Sequence, residues 1–327
     1  EYYYFTSSDP RFEGDVVTGN LDNNTFYTTG PWGSRYAAVK DINLTLIGLE
    51  NTTSDFSVEE ISATRGVLNT LKAHELLVVA NNQFANGIRT DVADPDNLGP
   101  FVTYTEALNT INDLLVSAAI DLAAGGSSFP FALSSVYAGF DSPDGFLQFY
   151  KGLNARVEDY RENYANVLTL LNVSFLDLSG DMNTGVYHTF SLSGADLANP
   201  LFIALNQEAN VRVSHSSFVE DALTDDTRVN KVVLRDSPRE ASGLVGTYDV
   251  WIYQSNVDNI PIMRNEELIL LYAEANIVIN PGEAEAGINV VRNIAGLGDY
   301  DGLTTSDALE DEILFQRRYS LFGEGHR

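Results

Sequence analysis

RNEELILLYAEANIVIN, Arg264 to Asn280, places one arginine and three glutamates in an otherwise apolar run. Apolar residues recur there at helical spacing and define an inward face: Leu268, Leu271, Tyr272 and Ala275. Glu267 and Glu274 lie two helical turns apart, so both carboxylates project from one side of the helix, close to that face. The stretch therefore predicts a helix that carries charge towards the protein interior.

Two interpretations of these carboxylates are open. A glycosidase needs two carboxylates about 5 to 10 Å apart that flank a cleft, and the spacing of Glu267 and Glu274 does not exclude one. Partly buried carboxylates usually need basic partners, and the late segment FQRRYSLFGEGHR supplies Arg317, Arg318 and Arg327. We favour structural ion pairs between the C-terminal helices, formed by Arg264, Glu267, Glu274, Arg317 and Arg318.

The composition excludes several classes of protein. The 327 residues carry 46 acidic and 19 basic side chains, a formal net charge of -27. Such a charge repels phosphate backbones and anionic membrane surfaces, so we expect no nucleic-acid partner. The absence of cysteine excludes disulfides, thiolate catalysis and cysteine-ligated zinc. No apolar run reaches the roughly 18 residues of a membrane span, and the first residues do not resemble a signal peptide.

Motifs of catalysis and metal binding are missing from the sequence. The four histidines are far apart, and no nucleophile elbow, phosphate loop or dinucleotide fingerprint occurs. In DLSGDMN, oxygen-bearing side chains alternate as at the start of a calcium loop: Asp177, Ser179, Asp181 and Asn183. The downstream glutamate of such a loop is missing, so a polar turn is favoured over a calcium site. We expect no catalytic residue, no metal and no cofactor.

Helix signals begin after some thirty aromatic and polar residues that show no sustained period. Ser57 and Glu60 form a capping box before a long helix from about Val58 to Asn82. A second long helix carries an apolar stripe from Ala107 to Leu122 and ends at GGSS. Helices joined by alternating short and long connections resemble tetratricopeptide-like hairpins. We therefore predict a mostly α fold, an α-α superhelix of helical-hairpin repeats with a loop-rich insert.

The predicted organisation is a single domain, 1–327, with three regions. Helical pairs occupy 34–173, a loop-rich insert with short β-strands occupies 174–259, and the C-terminal helices occupy 260–327. The insert is indicated by GVYHTFSLSG, VNKVVLR and TYDVWIY, short β-type runs separated by turn residues. Later helices are expected at Tyr160 to Leu171, Met263 to Val278, Glu283 to Ile294 and Ser306 to Phe322.

Aromatic residues in loop-like contexts are the candidate ligand-binding residues. Six of them form the predicted set: Tyr4, Trp32, Tyr36, Tyr248, Trp251 and Tyr253. Flat apolar rings suit the C–H faces of sugars, and nearby Asn, Asp and Arg side chains can bind the hydroxyls. For each ring taken singly, burial in the core is the alternative.

Three segments together resemble the C-terminal signature of the SusD/RagB family of Bacteroidetes outer-membrane lipoproteins. An R-x-x-E helix that ends in YAEA is matched by Arg264, Glu267, Tyr272, Ala273, Glu274 and Ala275. An N-x-x-R helix is matched by Asn289 and Arg292. The last segment is matched by Arg317, Arg318, Leu321, Glu324, Gly325, His326 and Arg327, whereas Gln316 and Ser320 replace the usual glutamates.

The resemblance implies a non-enzymatic protein with four tetratricopeptide-like helix pairs and a loop-rich remainder that holds the ligand. It implies capture of an oligosaccharide or polysaccharide at the cell surface and delivery to a TonB-dependent transporter of the SusC type. It further implies an outward-facing, lipid-anchored position at the outer membrane, with the lipidated cysteine and other terminal segments missing from this chain. The alternatives are a peptide-binding or protein-interaction scaffold of the same fold and, less favoured, a glycoside hydrolase that uses Glu267 and Glu274.

Overall fold

The computed structural model describes residues 2–5, 9 and 11–325, with the backbone alone for 2–4. Its helices are α1 (Arg11–Glu13), α2 (Phe26–Glu50), α3 (Val58–Gln83), α4 (Tyr104–Ala123), α5 (Pro143–Tyr160), α6 (Tyr164–Leu171), α7 (Ser217–Glu220), α8 (Asn265–Ile279), α9 (Pro281–Ile294) and α10 (Ser306–Ser320). Its strands are β1 (Tyr2–Phe5), β2 (Ile88–Arg89), β3 (Phe101–Val102), β4 (Gly185–His188), β5 (Val211–Ser214), β6 (Val232–Ala241), β7 (Leu244–Val250) and β8 (Ile260–Arg264). None of the helices in this described part is both long and apolar enough to span a membrane.

The starts of the long helices follow local capping chemistry. The predicted capping box before α3 is present: the Glu60 amide donates to Ser57 Oγ at 3.1 Å, and the Ser57 amide donates to Glu60 at 2.8 Å. Thr103 and Glu106 make a second capping box at the start of α4. These bonds satisfy backbone N–H groups that have no partner within the helix, which fixes where each helix begins.

The helices pack as successive hairpins. α3 packs against α2 and α4, α5 packs against α4 and α6, and α8 packs against α9 and α10. Gly66 allows α3 and α4 to approach closely, because a Cβ atom at that position would lie 2.6 Å from the Leu122 side chain. The largest buried apolar cluster runs from α2 to α6 and includes Leu268 and Leu271 of α8. The opening stretch of sequence thus contributes to the principal core of the helical hairpins.

The β-structure lies mainly between α6 and α8. β1, β5, β7 and β6 form an antiparallel sheet in that order, β4 pairs with β8, and β2 pairs with β3. The strands differ in length: β6 and β7 have ten and seven residues and pair with a register shift between Leu234 and Arg239. The irregular pairing explains why no clean alternating pattern marks them in the sequence.

Several helix boundaries differ from the sequence expectation. The expected aromatic loop before residue 34 is already helical, because α2 begins at Phe26 and contains Pro31. Proline fixes a helical φ and costs one hydrogen bond, which a helix tolerates near its start better than in its middle. The helix expected from Tyr160 begins at Tyr164, after a break at Glu162 with φ 59°. α10 ends at Ser320, two residues before the expected Phe322.

Candidate functional site

A groove runs along the first half of α2 and is lined by aromatic rings and polar side chains. It consists of two adjoining cavities that share Trp32 and Phe101, and we call it the Trp32 groove. The hairpin cavity, of about 450 Å³, lies between α2 and the hairpin of β2 and β3. The N-terminal cavity, of about 800 Å³, lies between the start of α2 and the end of α3. These are sizes in which small ligands and sugar units bind.

Tyr36 fixes the hairpin against α2. Trp32 and Tyr36 lie one turn apart on α2, with ring centroids 4.7 Å apart and ring planes inclined by 50°. The Tyr36 hydroxyl donates to the Arg89 carbonyl oxygen at 2.7 Å and accepts the Arg89 N–H at 3.1 Å. Burial raises the pKa of Tyr36, so this hydroxyl keeps its proton. The Tyr36 hydroxyl therefore positions Arg89, while Trp32 contributes a ring to both cavities.

Arg89 and Phe101 form the opposite wall of the hairpin cavity. The two residues are paired across β2 and β3, and the Arg89 guanidinium lies 4.7 Å from the centroid of the Phe101 ring. Arg89 Nη1 also donates to the Gly99 carbonyl oxygen. Gly87 enters the hairpin with φ +70°, where a Cβ atom would lie 2.3 Å from the Val102 oxygen. Glycine is therefore required there for the strands to meet and to present a 55% exposed Phe101 ring.

The N-terminal cavity is lined by amide and hydroxyl side chains beside aromatic rings. Its polar residues are Asn23, Thr28, Thr29, Asn82, Gln83 and Asn86. Phe12, Phe26 and Tyr27 form an aromatic cluster at this end, with centroid separations of 5.4 to 5.8 Å. Amide groups supply both donors and acceptors, and the rings supply flat apolar faces. This combination suits a ligand with hydroxyl groups around an apolar ring.

An ion-pair network joins α5, α8 and α10 in the interior. Glu267 is 2% exposed, and Arg156 of α5 donates to it through Nε at 2.5 Å and Nη2 at 2.6 Å. Arg264 pairs with Glu266 and also with Glu324, whose Oε1 lies 2.7 Å from Nη2. In each of these two groups, the positive charge of the arginine is opposed by carboxylates inside the protein.

The network continues at its outer edge. Arg317 Nη2 lies 2.5 Å from Glu274 and 3.9 Å from Asp159. Burial and the nearby Glu274 raise the pKa of Asp159 to about 7, against the lowering effect of Arg317. Arg318 pairs instead with Asp221 at 2.9 Å, near the protein surface. The structure thus places an arginine beside both of the carboxylates considered for glycoside hydrolysis.

Comparisons with known proteins connect this fold and network to a family. Residues 241–327 match the sequence model of the SusD family. A SusD superfamily protein from Parabacteroides distasonis ATCC 8503 is similar over 99% of this chain and 78% of its own, with TM-score 0.73 and 16% identity. The predicted resemblance of the C-terminal segment to the SusD/RagB family is confirmed. The predicted mostly α, SusD-like fold is confirmed.

Two further structures resemble this chain. Surface glycan-binding protein A from Bacteroides uniformis is similar over 100% of this chain and 79% of its own, with TM-score 0.69 and 14% identity. A laminarin-binding SusD-like protein is similar over 99% and 81%, with TM-score 0.69 and 16% identity. No curated protein sequence matches the chain.

The segment matched by the SusD family model contains most of the ion-pair network. Arg264, Glu267, Glu274 and Arg317 all lie within it, and so does Glu324. Arg156 lies outside the matched segment, and sequence reasoning missed it as the partner of Glu267. Its only signal was a basic residue in an apolar helix. Arg327, considered above as another basic partner, lies outside the described residues.

The other predicted aromatic residues do not join the Trp32 groove. Tyr253 is 7% exposed and lines a different cavity, beside α8 and α9, so the expectation of an exposed ring there is corrected. Tyr248 packs with a cluster that includes Phe218 and Tyr319. These rings are covered because the β-structure packs its apolar side chains on the C-terminal helices.

Trp251 and Tyr4 also lie apart from the groove. Trp251 is half-buried, with its ring 6.2 Å from that of Phe202, and it lines neither cavity. The backbone of Tyr4 pairs with Arg212 in the sheet, and its side chain lies outside the described residues. Phe101 and Arg89 were missed by sequence reasoning. Their signal was a pair of two-residue β-type runs on the two sides of a turn-rich loop.

The loop DLSGDMN forms the polar turns predicted for it. Asp177 Oδ1 accepts from Ser179 N at 2.9 Å and from Ser179 Oγ at 2.8 Å. Asp181 Oδ1 accepts from Asn183 N at 2.9 Å. Both carboxylates are therefore engaged in their own turns. Within the part of the chain that the structure describes, no three His, Asp or Glu side chains group in a way that could hold a metal ion.

Proposed function

We propose that this SusD-family protein binds an oligosaccharide or polysaccharide in the Trp32 groove, without catalysis. The observation that carries the proposal is the pair of rings, Trp32 and Phe101, shared by two adjoining cavities with amide-lined walls. Aromatic faces stack on the C–H faces of sugar rings, and amides bind hydroxyls without selecting a charge. Proteins of similar fold include a surface glycan-binding protein and a laminarin-binding protein.

The groove favours modest affinity for an extended chain over tight binding of one sugar. Sugar hydroxyls lose water when they bind, and an open groove buries only part of each unit, so each unit contributes little net free energy. Two cavities in a row add contacts along a polymer, which raises the affinity for longer chains. We expect affinity to rise with chain length until both cavities are filled.

The proposal includes delivery of the captured glycan to a TonB-dependent transporter of the SusC type. It places the protein on the outer face of the outer membrane, held by a lipid anchor in a segment outside this chain, and it treats 1–327 as a single domain. The resemblance of the C-terminal signature supports these points. Cross-linking on intact cells of the native organism, followed by purification of this protein, should recover a TonB-dependent transporter.

A substitution of Trp32 tests the binding site. Trp32→Ala should weaken glycan binding by about tenfold, because it removes the ring common to both cavities. Trp251→Ala is the matched control: the same residue type, also half-buried, outside the groove. Isothermal titration calorimetry against laminarin and a panel of neutral and acidic polysaccharides measures the effect, with circular dichroism to verify folding.

The same measurements separate the proposal from its alternatives. Equal loss of affinity in both tryptophan variants would move the site away from the groove. Binding of peptides with no binding of any polysaccharide would replace the glycan with a peptide ligand. Release of reducing sugar that disappears in Glu267→Gln would restore the glycoside hydrolase interpretation.

A further inference from the structure

We infer that the hairpin cavity of the Trp32 groove recognises an acidic saccharide, with Lys40 and Arg89 contacting its carboxylate or sulfate group. This inference rests on the proposed function, since it names the class of sugar that the same groove takes. Lys40 and Arg89 are the charged side chains among the described residues that line this cavity. Its remaining lining is aromatic, aliphatic or amide, as at Trp32 and Asn43.

Two cations line the hairpin cavity although the chain as a whole is strongly acidic. The sequence has 46 acidic and 19 basic side chains, so carboxylates are available to pair with most cations. Near the groove, Arg35 pairs with Glu75 at 3.0 Å and Arg65 pairs with Asp121 at 3.3 Å. Among the residues described by the structure, Lys40 and Arg89 have no carboxylate within 4.0 Å. The cavity wall is thus locally positive on a strongly negative protein.

The geometry aims both cations at one space. Trp32, Tyr36 and Lys40 follow one another at intervals of one turn on the same face of α2. Arg89 faces them from β2, held by the two hydrogen bonds to Tyr36 and by its position over the Phe101 ring. Nη1 donates to Gly99, and the guanidinium has further N–H donors suited to a planar carboxylate or a sulfate.

The acidic residues of the hairpin loop do not cancel this arrangement. Asp91, Asp94 and Asp96 flank the cavity without lining it. Asp94 accepts the backbone N–H of Asp96 at 3.0 Å, and the charge of Asp91 acts on the buried Lys72. The negative electrostatic field of these aspartates adds to the general repulsion of anions by the protein. Only an anion that lies between Lys40 and Arg89 is therefore attracted on balance.

The two cavities differ in charge, so a bound chain has a preferred orientation along the groove. The N-terminal cavity has amide, hydroxyl and aromatic side chains and no charged residue among those that line it in the described chain. A saccharide that spans the groove would place its acidic unit beside Lys40 and its neutral units beside Asn82 and Gln83. The preferred ligand is therefore a glycan that carries acidic and neutral positions along one chain.

The test compares each acidic saccharide with a neutral form of the same skeleton. Oligogalacturonate and its fully methyl-esterified form probe a carboxylate, and a sulfated galactan oligomer and its desulfated form probe a sulfate. Calorimetry at low salt should show about tenfold tighter binding of the acidic member of one pair. The preference should fall at high salt, which screens the partly exposed Lys40.

Three variants assign the preference to named residues. Lys40→Gln and Arg89→Gln should each remove most of the preference for the acidic form over the neutral form. Lys151→Gln, a matched lysine outside the groove, should leave that preference unchanged. Trp32→Ala should weaken both forms equally, since stacking does not depend on the charge. The Lys40 side chain makes no hydrogen bond to another described residue. Lys40→Gln therefore still tests the inference if Arg89→Gln disturbs the hairpin.

The outcomes distinguish this inference from the proposed function. If the wild-type protein binds the neutral forms as tightly as the acidic ones, and Trp32→Ala weakens both, the acidic-saccharide inference is wrong and glycan binding stands. If the preference for acidic forms persists unchanged in both cation variants, its assignment to this cavity is wrong. If no saccharide binds the wild-type protein, the proposed function fails, and the inference fails with it.

Discussion

The ion-pair network of the C-terminal half and the Trp32 groove both place arginines beside the protein core, with different surroundings. In the network, Arg156 is buried and bonded by two nitrogens to Glu267, and Arg264 is held by Glu324. In the groove, Arg89 is half-buried and is held by a ring face and a backbone carbonyl. One residue type thus serves as an internal support in one region and, as we propose, as a ligand contact in another.

The two regions differ because a carboxylate already pairs with the arginine in one of them and not in the other. An arginine that pairs with a carboxylate has few N–H donors and little uncompensated positive charge left for a ligand. Breaking such a pair leaves an uncompensated buried charge. An arginine stacked on a phenyl ring keeps its charge and most of its donors for another anion. Substitutions in the network should therefore change the free energy of unfolding, whereas substitutions in the groove should change binding.

The largest effect is expected at the buried pair of Arg156 and Glu267. Arg156→Ala should lower the free energy of unfolding by about 3 to 5 kcal/mol, because it leaves Glu267 charged and buried without its partner. Chemical denaturation measures the change. Arg65→Ala, which breaks a more exposed pair with Asp121 at 3.3 Å, is the control and should cost under about 1 kcal/mol. Similar losses in both variants would remove the distinction between internal and surface pairs.

A smaller, pH-dependent effect is expected at Asp159. Its pKa is raised to about 7, by burial first and then by Glu274, so the native state holds a proton that the unfolded state has lost at neutral pH. The contribution of this proton to stability is present in mild acid and is lost as the pH rises through about 7. The stability of Asp159→Asn relative to the wild type should therefore increase by about 1 to 3 kcal/mol between pH 5 and pH 8.

Denaturation at a series of pH values between 5 and 8 measures that difference. The exposed Asp113→Asn variant is the control and should show no difference that grows with pH. A gap between Asp159→Asn and wild type that is constant across the series would mean that the Asp159 carboxylate keeps its charge throughout. The positive charge of Arg317 would then be enough to keep the buried Asp159 carboxylate ionised.

The smallest effect is expected at Tyr36, where the groove and the fold meet. Tyr36→Phe keeps the ring and removes the hydroxyl that bonds both backbone groups of Arg89. It should cost about 1 kcal/mol in unfolding free energy and speed amide exchange in β2 and β3. Hydrogen exchange followed by mass spectrometry measures the second effect. Unchanged exchange in the hairpin would show that the hydroxyl does not hold Arg89 in place.

The two regions also differ in how much of them the sequence predicts. Charges within an apolar helical run point to internal ion pairs, because a buried carboxylate needs a partner, and the spacing of Glu267 and Glu274 shows this directly. The identity of the partner could not be predicted, since Arg156 is 111 residues away from Glu267. Helical periodicity and the capping box likewise predict α3, because the signals for that helix are local.

The Trp32 groove depends on contacts that no local pattern contains. Pro31 and the neighbouring glycines suggest a loop, yet packing against α3 extends α2 back to Phe26. The bond from Tyr36 to Arg89 joins residues 53 apart, and only the folded chain shows it. The aromatic residues stay candidates for the binding site, but the sequence does not show which of them are buried, because burial depends on tertiary contacts. Tyr253 illustrates this, since its ring is covered by the fold.

The double hydrogen bond of the Tyr36 hydroxyl has a thermodynamic consequence for capture. The hairpin wall is assembled when the protein folds, so an incoming chain finds a preorganised surface and need not order a loop as it binds. Association should then be rapid. Differences in residence time between ligands should reflect the contacts that each ligand makes with this preformed surface. Such a preformed surface suits the proposed capture and delivery of a glycan.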